Sequence, residues 1–256
     1  MFNLISLLVA AALVSFQSDF QASGALLSNK LDLDNSLQPN VVPAPKRLFR
    51  KYVHIYVAPP ETLHVGPTQR VQLECQVFGS PSPAVTWLKN GEPSVDYEEA
   101  ANEILSTHPS SIARITSKLI ASAQNGDVFT CLATAGLKQQ SASTTVYVTE
   151  GEDPDLVLEK LLIPPKPVIT AYYNEIFQNM GTNIVLPCRI EGKADLYWQD
   201  NLDNIILGDN RHRVLPSGDL MISGLRWSDM GQYTCVAQNA YGKDTASTFL
   251  YPSKAS

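Results

Sequence analysis

The sequence predicts an all-β chain: two tandem β-sandwich domains, each pinned by one internal disulfide, behind a cleavable leader and a polar spacer. Three observations predict it. The four cysteines stand in two similar sequence units. Each unit carries a Trp ten or twelve residues after its first cysteine. Apolar residues alternate with period two around the cysteines, the pattern of a strand with one buried face.

The elements follow in chain order. Residues 4–14 of MFNLISLLVAAALVSFQSDFQASGAL form an apolar run of signal-peptide length, short of the ~20 residues a bilayer needs. Small residues Ala22, Ser23, Gly24 and Ala25 follow, so cleavage is expected at 18–25 and the signal peptide spans 1–24. Residues 25–51 read as a disordered spacer containing Pro39, Pro43 and Pro45. Its basic cluster, KRLFRK at 46–51, reads as a solvated arm, with a processing site or a polyanion contact as alternatives.

The first domain is expected over 52–149. VQLECQVFG alternates Val71, Leu73, Cys75 and Val77; Trp87 follows in AVTWLKNGE; DVFTCLATAG alternates Phe129, Cys131 and Ala133. The second domain, over 166–252, repeats the order with NIVLPCRIEG around Cys188, Trp198 in DLYWQDN, and Cys235 in GQYTCVAQNAYG. Four cysteines allow three pairings. The repeat selects Cys75–Cys131 and Cys188–Cys235, one bridge in each unit. Two sheets that bury their inner faces on each other are tied by such a bridge, with the Trp packed against it. Closing a loop of about fifty residues contributes roughly 4 kcal/mol in the chain-entropy model.

In the second unit Asp229, Gly231, Tyr233 and Cys235 spell D-x-G-x-Y-x-C, and 235–242 spell C-x-A-x-N-x-x-G. These motifs resemble the immunoglobulin superfamily, I-set type. The resemblance implies a tyrosine corner, in which the Tyr233 hydroxyl bonds back across the turn. The first unit departs from the pattern. It reads N-x-D-x-F-x-C through Asn125, Asp127 and Phe129, and a Phe has no hydroxyl. Its turn is therefore expected to be the looser one.

Nothing in the sequence points to catalysis. His54, His64, His108 and His212 are dispersed without metal-ligand spacing, and neither a nucleophile elbow nor a phosphate-binding loop occurs. No catalytic residue, metal or cofactor is expected. A net charge of −6 without a long basic run argues against nucleic acid as a partner. A second hydrophobic span and a lipid-anchor tail are both missing, so the reading is a secreted, extracellular protein with no membrane anchor.

The interdomain linker, 150–165, is unusually apolar. In EDPDLVLEKLLIPPKP (152–167) a two-turn helix from Asp155 to Leu162 places Leu158, Leu161 and Leu162 on one face. The linker is expected to pack between the domains, to present a hydrophobic patch, or both. Leu158, Leu161, Leu162 and Ile163 form the candidate apolar centre of that patch. Tyr173, in VITAYYNEIF, is a candidate aromatic anchor, set against the role of A-strand aromatics as core residues.

The cysteine framework, the linker before PPKPVI (164–169) and SDMGQYTCVAQNAYG (228–242) together resemble the insect neural/ectodermal development factor family. Those are ecdysone-inducible secreted proteins with two immunoglobulin domains. The resemblance implies a binding protein that sequesters insulin-like peptides and restrains growth signalling. The alternative is an adhesive or matrix protein that acts by self-association or matrix contact.

Overall fold

The computed structural model describes residues 51–67, 69–94, 108–149 and 166–254. The signal peptide, the spacer and the linker with Leu158, Leu161, Leu162 and Ile163 lie outside the described residues. Residues Phe49–Ser256 belong to one compact unit.

The first domain runs through β1 (Tyr52–Val57), β2 (Thr62–Val65), β3 (Val71–Ser80), β4 (Ala84–Lys89), β5 (Glu92–Pro93), β6 (Ile112–Ala121), β7 (Val128–Ala135) and β8 (Lys138–Val148). The second contains β9 (Val168–Asn179), β10 (Ile184–Leu186), β11 (Arg189–Glu191), β12 (Asp195–Gln199), β13 (His212–Val214), β14 (Leu220–Ile222), β15 (Gly231–Asn239) and β16 (Gly242–Ser253). Period-two burial is clearest beside the cysteines. Val71, Leu73, Cys75 and Val77 turn inward on β3, as do Phe129, Cys131 and Ala133 on β7. The hairpin from β4 to β5 closes at Asn90-Gly91, both with positive φ, the backbone that matches strand twist in a two-residue turn.

One half of the first sandwich is a five-stranded sheet in the order β2-β8-β7-β4-β5. The other half does not end at the domain boundary. Strands β1, β3 and β6 continue through β9 into β16, β15 and β12, with β11 also on β9, giving an eight-stranded sheet that both domains share. A small sheet, β10-β14-β13, covers the second domain's share of it. The junction is the antiparallel ladder of β6 and β9, from Ile112↔Phe177 to Ser117↔Ala171. Asn174 is the extra residue of a bulge, since Arg114 pairs Glu175 while Ile115 pairs Tyr173.

Each sandwich is closed by its cystine. Cys75 bonds Cys131 and Cys188 bonds Cys235, each with Cα atoms 6.4 Å apart. Trp87 and Trp198 are buried beside them. Their indole N–H groups donate to Ser117 Oγ at 3.0 Å and to the Gly218 carbonyl at 2.8 Å. Gly218 has φ +89°, and a Cβ there would lie 2.4 Å from Leu196 Cδ1, so the carbonyl that receives Trp198 is offered by a position only glycine fits.

The two turns before β7 and β15 differ in chemistry. In the second domain the buried Tyr233 hydroxyl donates to the Asp229 carbonyl at 3.0 Å. Burial, followed by the nearby Asp229 carboxylate, pushes this phenol up to about 12. In the first domain Asp127 replaces that anchor. Its carboxylate accepts from the Gln124 N–H at 2.7 Å and Asn90 Nδ2 at 2.8 Å, and Lys89 Nζ lies 2.9 Å away. Lys89 Nζ also stands 5.6 Å from the centre of the Phe129 ring. The loss of the tyrosine hydroxyl is thus offset by a carboxylate network, and the turn has as many ties as its counterpart.

Candidate functional site

The shared sheet has an inner face packed into the two sandwich cores and an outer face that crosses the domain boundary without a break. The bulge at Asn174 sets which β9 side chains appear outside. Before it Tyr173 turns inward opposite Ile115; after it Ile176 turns inward opposite Ala113. Tyr172, Glu175 and Phe177 therefore share the outer face with Ile112, Arg114 and Thr116 of β6. On β16 the inward positions are Ala246, Thr248 and Leu250, which leaves Phe249 and Tyr251 outside, aligned with Glu175 and Phe177.

The result is an aromatic band across both domains. Tyr52 and Phe78 lie 5.5 Å apart at the first-domain end. Phe177 and Tyr251 lie 5.4 Å apart beyond the junction, and Trp227 meets Tyr251 edge-on at 5.7 Å. Tyr56, Phe249 and Trp227 are 38, 44 and 51 % exposed, whereas most rings of this size are largely covered. Trp227 is delivered by the short 3-10 turn Trp227–Asp229, whose end is fixed when Arg211 pairs with Asp229. Several exposed aromatics on a rigid sheet are the residue types that carry most binding energy at protein interfaces.

Charged and polar groups run through the same face and bind the domains together. Arg114 lies 3.4 Å from Glu175 and 5.8 Å from the Tyr56 ring. Thr116 Oγ1 donates to Asn174 Oδ1 at 2.8 Å. At the margin Arg70 of the first domain reaches Glu191 of the second at 2.7 Å. The β6–β9 ladder joins the two halves in one sheet and these ties lie along it, so the band is presented preformed.

Tyr173 does not belong to this surface. The sequence offers it as a ligand anchor, but it is 4 % exposed, with its ring in the core. Burial raises the pKa of its phenol, with Ser82 of the first domain opposing that rise and the Asp219 carboxylate of the second adding to it. It is a clamp between domains. The exposed aromatics Tyr56, Trp227 and Phe249 have no place among the sequence-derived candidates. The signal that finds Phe249 is the parity of TASTFLYPS, where it falls on the side opposite Leu250.

An open cleft of about 410 Å³ lies elsewhere on the second domain, lined by Ile205, Leu207, Asp209, His212 and Met230 among others. Its Asp209 and His212 are already paired. Asp209 accepts from the backbone N–H groups of Arg211 and His212, and its second oxygen lies 3.0 Å from His212 Nδ1. Among the described residues no group of three or more His, Cys, Asp or Glu is placed to hold a metal ion.

Comparison with known proteins agrees with this geometry. The immunoglobulin I-set domain model matches residues 167–251, and a general immunoglobulin domain model matches residues 54–135. The chain is 32 % identical over 253 residues to neural/ectodermal development factor IMP-L2 of Drosophila melanogaster, covering 95 % of this chain and 94 % of that protein. It is 31 % identical over 197 residues to Zwei Ig domain protein zig-3 of Caenorhabditis elegans, covering 74 % of this chain and 77 % of that one. The crystal structure of IMP-L2 superposes with a TM-score of 0.66 at 30 % identity, over 80 % of this chain and 96 % of that one.

Proposed function

Because the chain belongs to the immunoglobulin I-set proteins, in the two-domain family of neural/ectodermal development factor IMP-L2, we propose that it is a secreted binding protein that sequesters insulin-like peptides and so antagonises insulin and growth signalling. The observation that carries this reading is the preformed aromatic band on a sheet shared by both domains. Insulin-like hormones meet their receptor through an apolar surface. A carrier that covers the same surface excludes the receptor by occupancy, with no chemistry required. An interface of about 1,600 Å² is ordinary for such capture, and its affinity depends on a few desolvated anchors more than on area.

In this reading Tyr56, Phe249, Tyr251 and Trp227 supply rigid contacts. Leu158, Leu161, Leu162 and Ile163 of the linker supply the aliphatic centre proposed from the sequence. The test is binding of the purified secreted chain to an immobilised insulin-like peptide. Retention of the peptide by a monomer is the expected result. Leu161→Asp with Leu162→Asp in a folded protein is expected to weaken it at least tenfold. Unchanged affinity removes the linker from the site, and no retention of any insulin-like peptide removes the reading.

A second reading, self-association or matrix contact, draws on Leu202, Ile205 and Leu207, three exposed apolar side chains of the second domain. A concentration-dependent dimer that retains no peptide is the outcome that favours it.

A further inference from the structure

The basic hexad Lys46-Arg47-Leu48-Phe49-Arg50-Lys51 concentrates four of the chain's 19 Lys and Arg residues. Two basic residues stand side by side nowhere else in the 256-residue sequence, and here they do so twice. Within the hexad, Arg47 and Arg50 have the spacing R-x-x-R. An endoprotease with two acidic subsites reads that pattern: one guanidinium next to the cut bond and another three residues before it. Arginine suits such subsites because its planar fork pairs with a carboxylate through two hydrogen bonds at once.

The fold places Lys51, the last residue of the motif. Lys51 is exposed and lies outside any strand. β1 starts at the next residue, and its first ladder pair is Tyr52↔Ser80. Within the shared sheet β1 is an outermost strand, paired with β3 alone. Among the described residues every ladder pair and both cystines lie after the Arg50–Lys51 bond, so its hydrolysis breaks none of them. Processing bonds concentrate beside the ends of folded elements, where a cut leaves the strand ladders whole.

We propose that Arg50–Lys51 is a processing site for an arginine-directed endoprotease of the secretory route. Water adds across the amide, leaving a carboxylate on Arg50 and a new α-amino group on Lys51. The mature protein then begins one residue before β1, and everything before Lys51 is a removable pro-segment. This inference rests on the secreted reading above, since export brings the chain and such a protease together.

The experiment is expression of the full chain in a eukaryotic secretory host, with the N-terminus of the product in the medium read by intact mass and N-terminal sequencing. The expected product begins at Lys51. Arg47→Ala with Arg50→Ala is expected to convert it to a longer secreted form with the same disulfides and melting temperature. A wild-type product that keeps residues 46–50, or one that begins at Leu48, overturns the assignment. So does a double variant still cut before Lys51. An uncut chain retained on heparin at physiological salt assigns the hexad to polyanion contact instead, and overturns the cut. Retention of the whole chain inside the cell contradicts the secreted reading, and the processing step with it.

Discussion

Arg114 of the first domain and Glu175 of the second stand opposite each other in the β6–β9 ladder, with guanidinium and carboxylate 3.4 Å apart on the outer face. The pair marks where one immunoglobulin sandwich becomes the other within a single sheet. Both side chains are more than a third exposed, so solvent and salt screen the charge. A double-mutant cycle of Arg114→Ala and Glu175→Ala is expected to give a coupling of about 0.2–1 kcal/mol in urea unfolding. A coupling several times larger means that charge, not the backbone ladder, holds the domains together.

Tyr173 is expected to matter more. It is buried, and it stands opposite Ile115 in the ladder that joins the domains. Tyr173→Ala removes a large buried ring and is expected to cost about 3–5 kcal/mol. Tyr173→Phe keeps the ring and is expected to cost about 1–2 kcal/mol. Denaturant unfolding of the two variants checks the order. Equal small costs contradict the clamp.

Asp219 is buried, and its carboxylate accepts from the Cys188 N–H, Arg189 Nη1 and Ser217 Oγ at 2.7–2.9 Å. Burial raises its pKa and Arg189 opposes that rise. Removing the cation leaves a buried carboxylate without its counter-charge, so Arg189→Ala is expected to cost about 3 kcal/mol or more. Arg189→Ala with Asp219→Asn is expected to recover part of the loss, because the buried group is then neutral. Thermal melts of the single and double variants test it. No recovery means that Arg189 acts by packing.

Asp127 sets an acid limit on the first domain. Burial alone works to raise its pKa, but the Gln124 N–H, Asn90 and Lys89 outweigh it and hold the carboxyl down at about 2. A carboxyl depressed in the folded state contributes stability above its unfolded value of about 4, and loses it as pH falls toward 2. Asp127→Asn is therefore expected to flatten the acid limb of stability between pH 4 and pH 2. An unchanged acid limb contradicts the network.

Much of the fold was legible because its signals are local. Period-two alternation around Cys75, Cys131, Cys188 and Cys235, together with Trp87 and Trp198, depends on neighbours a few residues apart. The shared sheet was not legible. Pairing of β6 with β9 joins segments more than fifty residues apart in sequence, and each strand reads the same whether its edge meets a partner or water. The bulge at Asn174 hid the surface as well. A strict period of two cannot put both Tyr173 and Ile176 inside, so the extra residue changes which half of β9 faces out. That is why Tyr173 reads as a possible anchor in the sequence. In the first domain, the missing hydroxyl at Phe129 suggested a loose turn. The compensating partners of Asp127 come from Asn90 and Lys89 in a distant hairpin.

The central claim is that both domains contribute one face to the capture of an insulin-like peptide. Its most direct test is the affinity for an immobilised insulin-like peptide of two single variants, Tyr56→Asp in the first domain and Phe249→Asp in the second. Both positions are partly exposed, so each variant is expected to fold with its native melting temperature. Each is expected to lose at least tenfold in affinity, about 1.4 kcal/mol. Wild-type affinity in both folded variants contradicts the account.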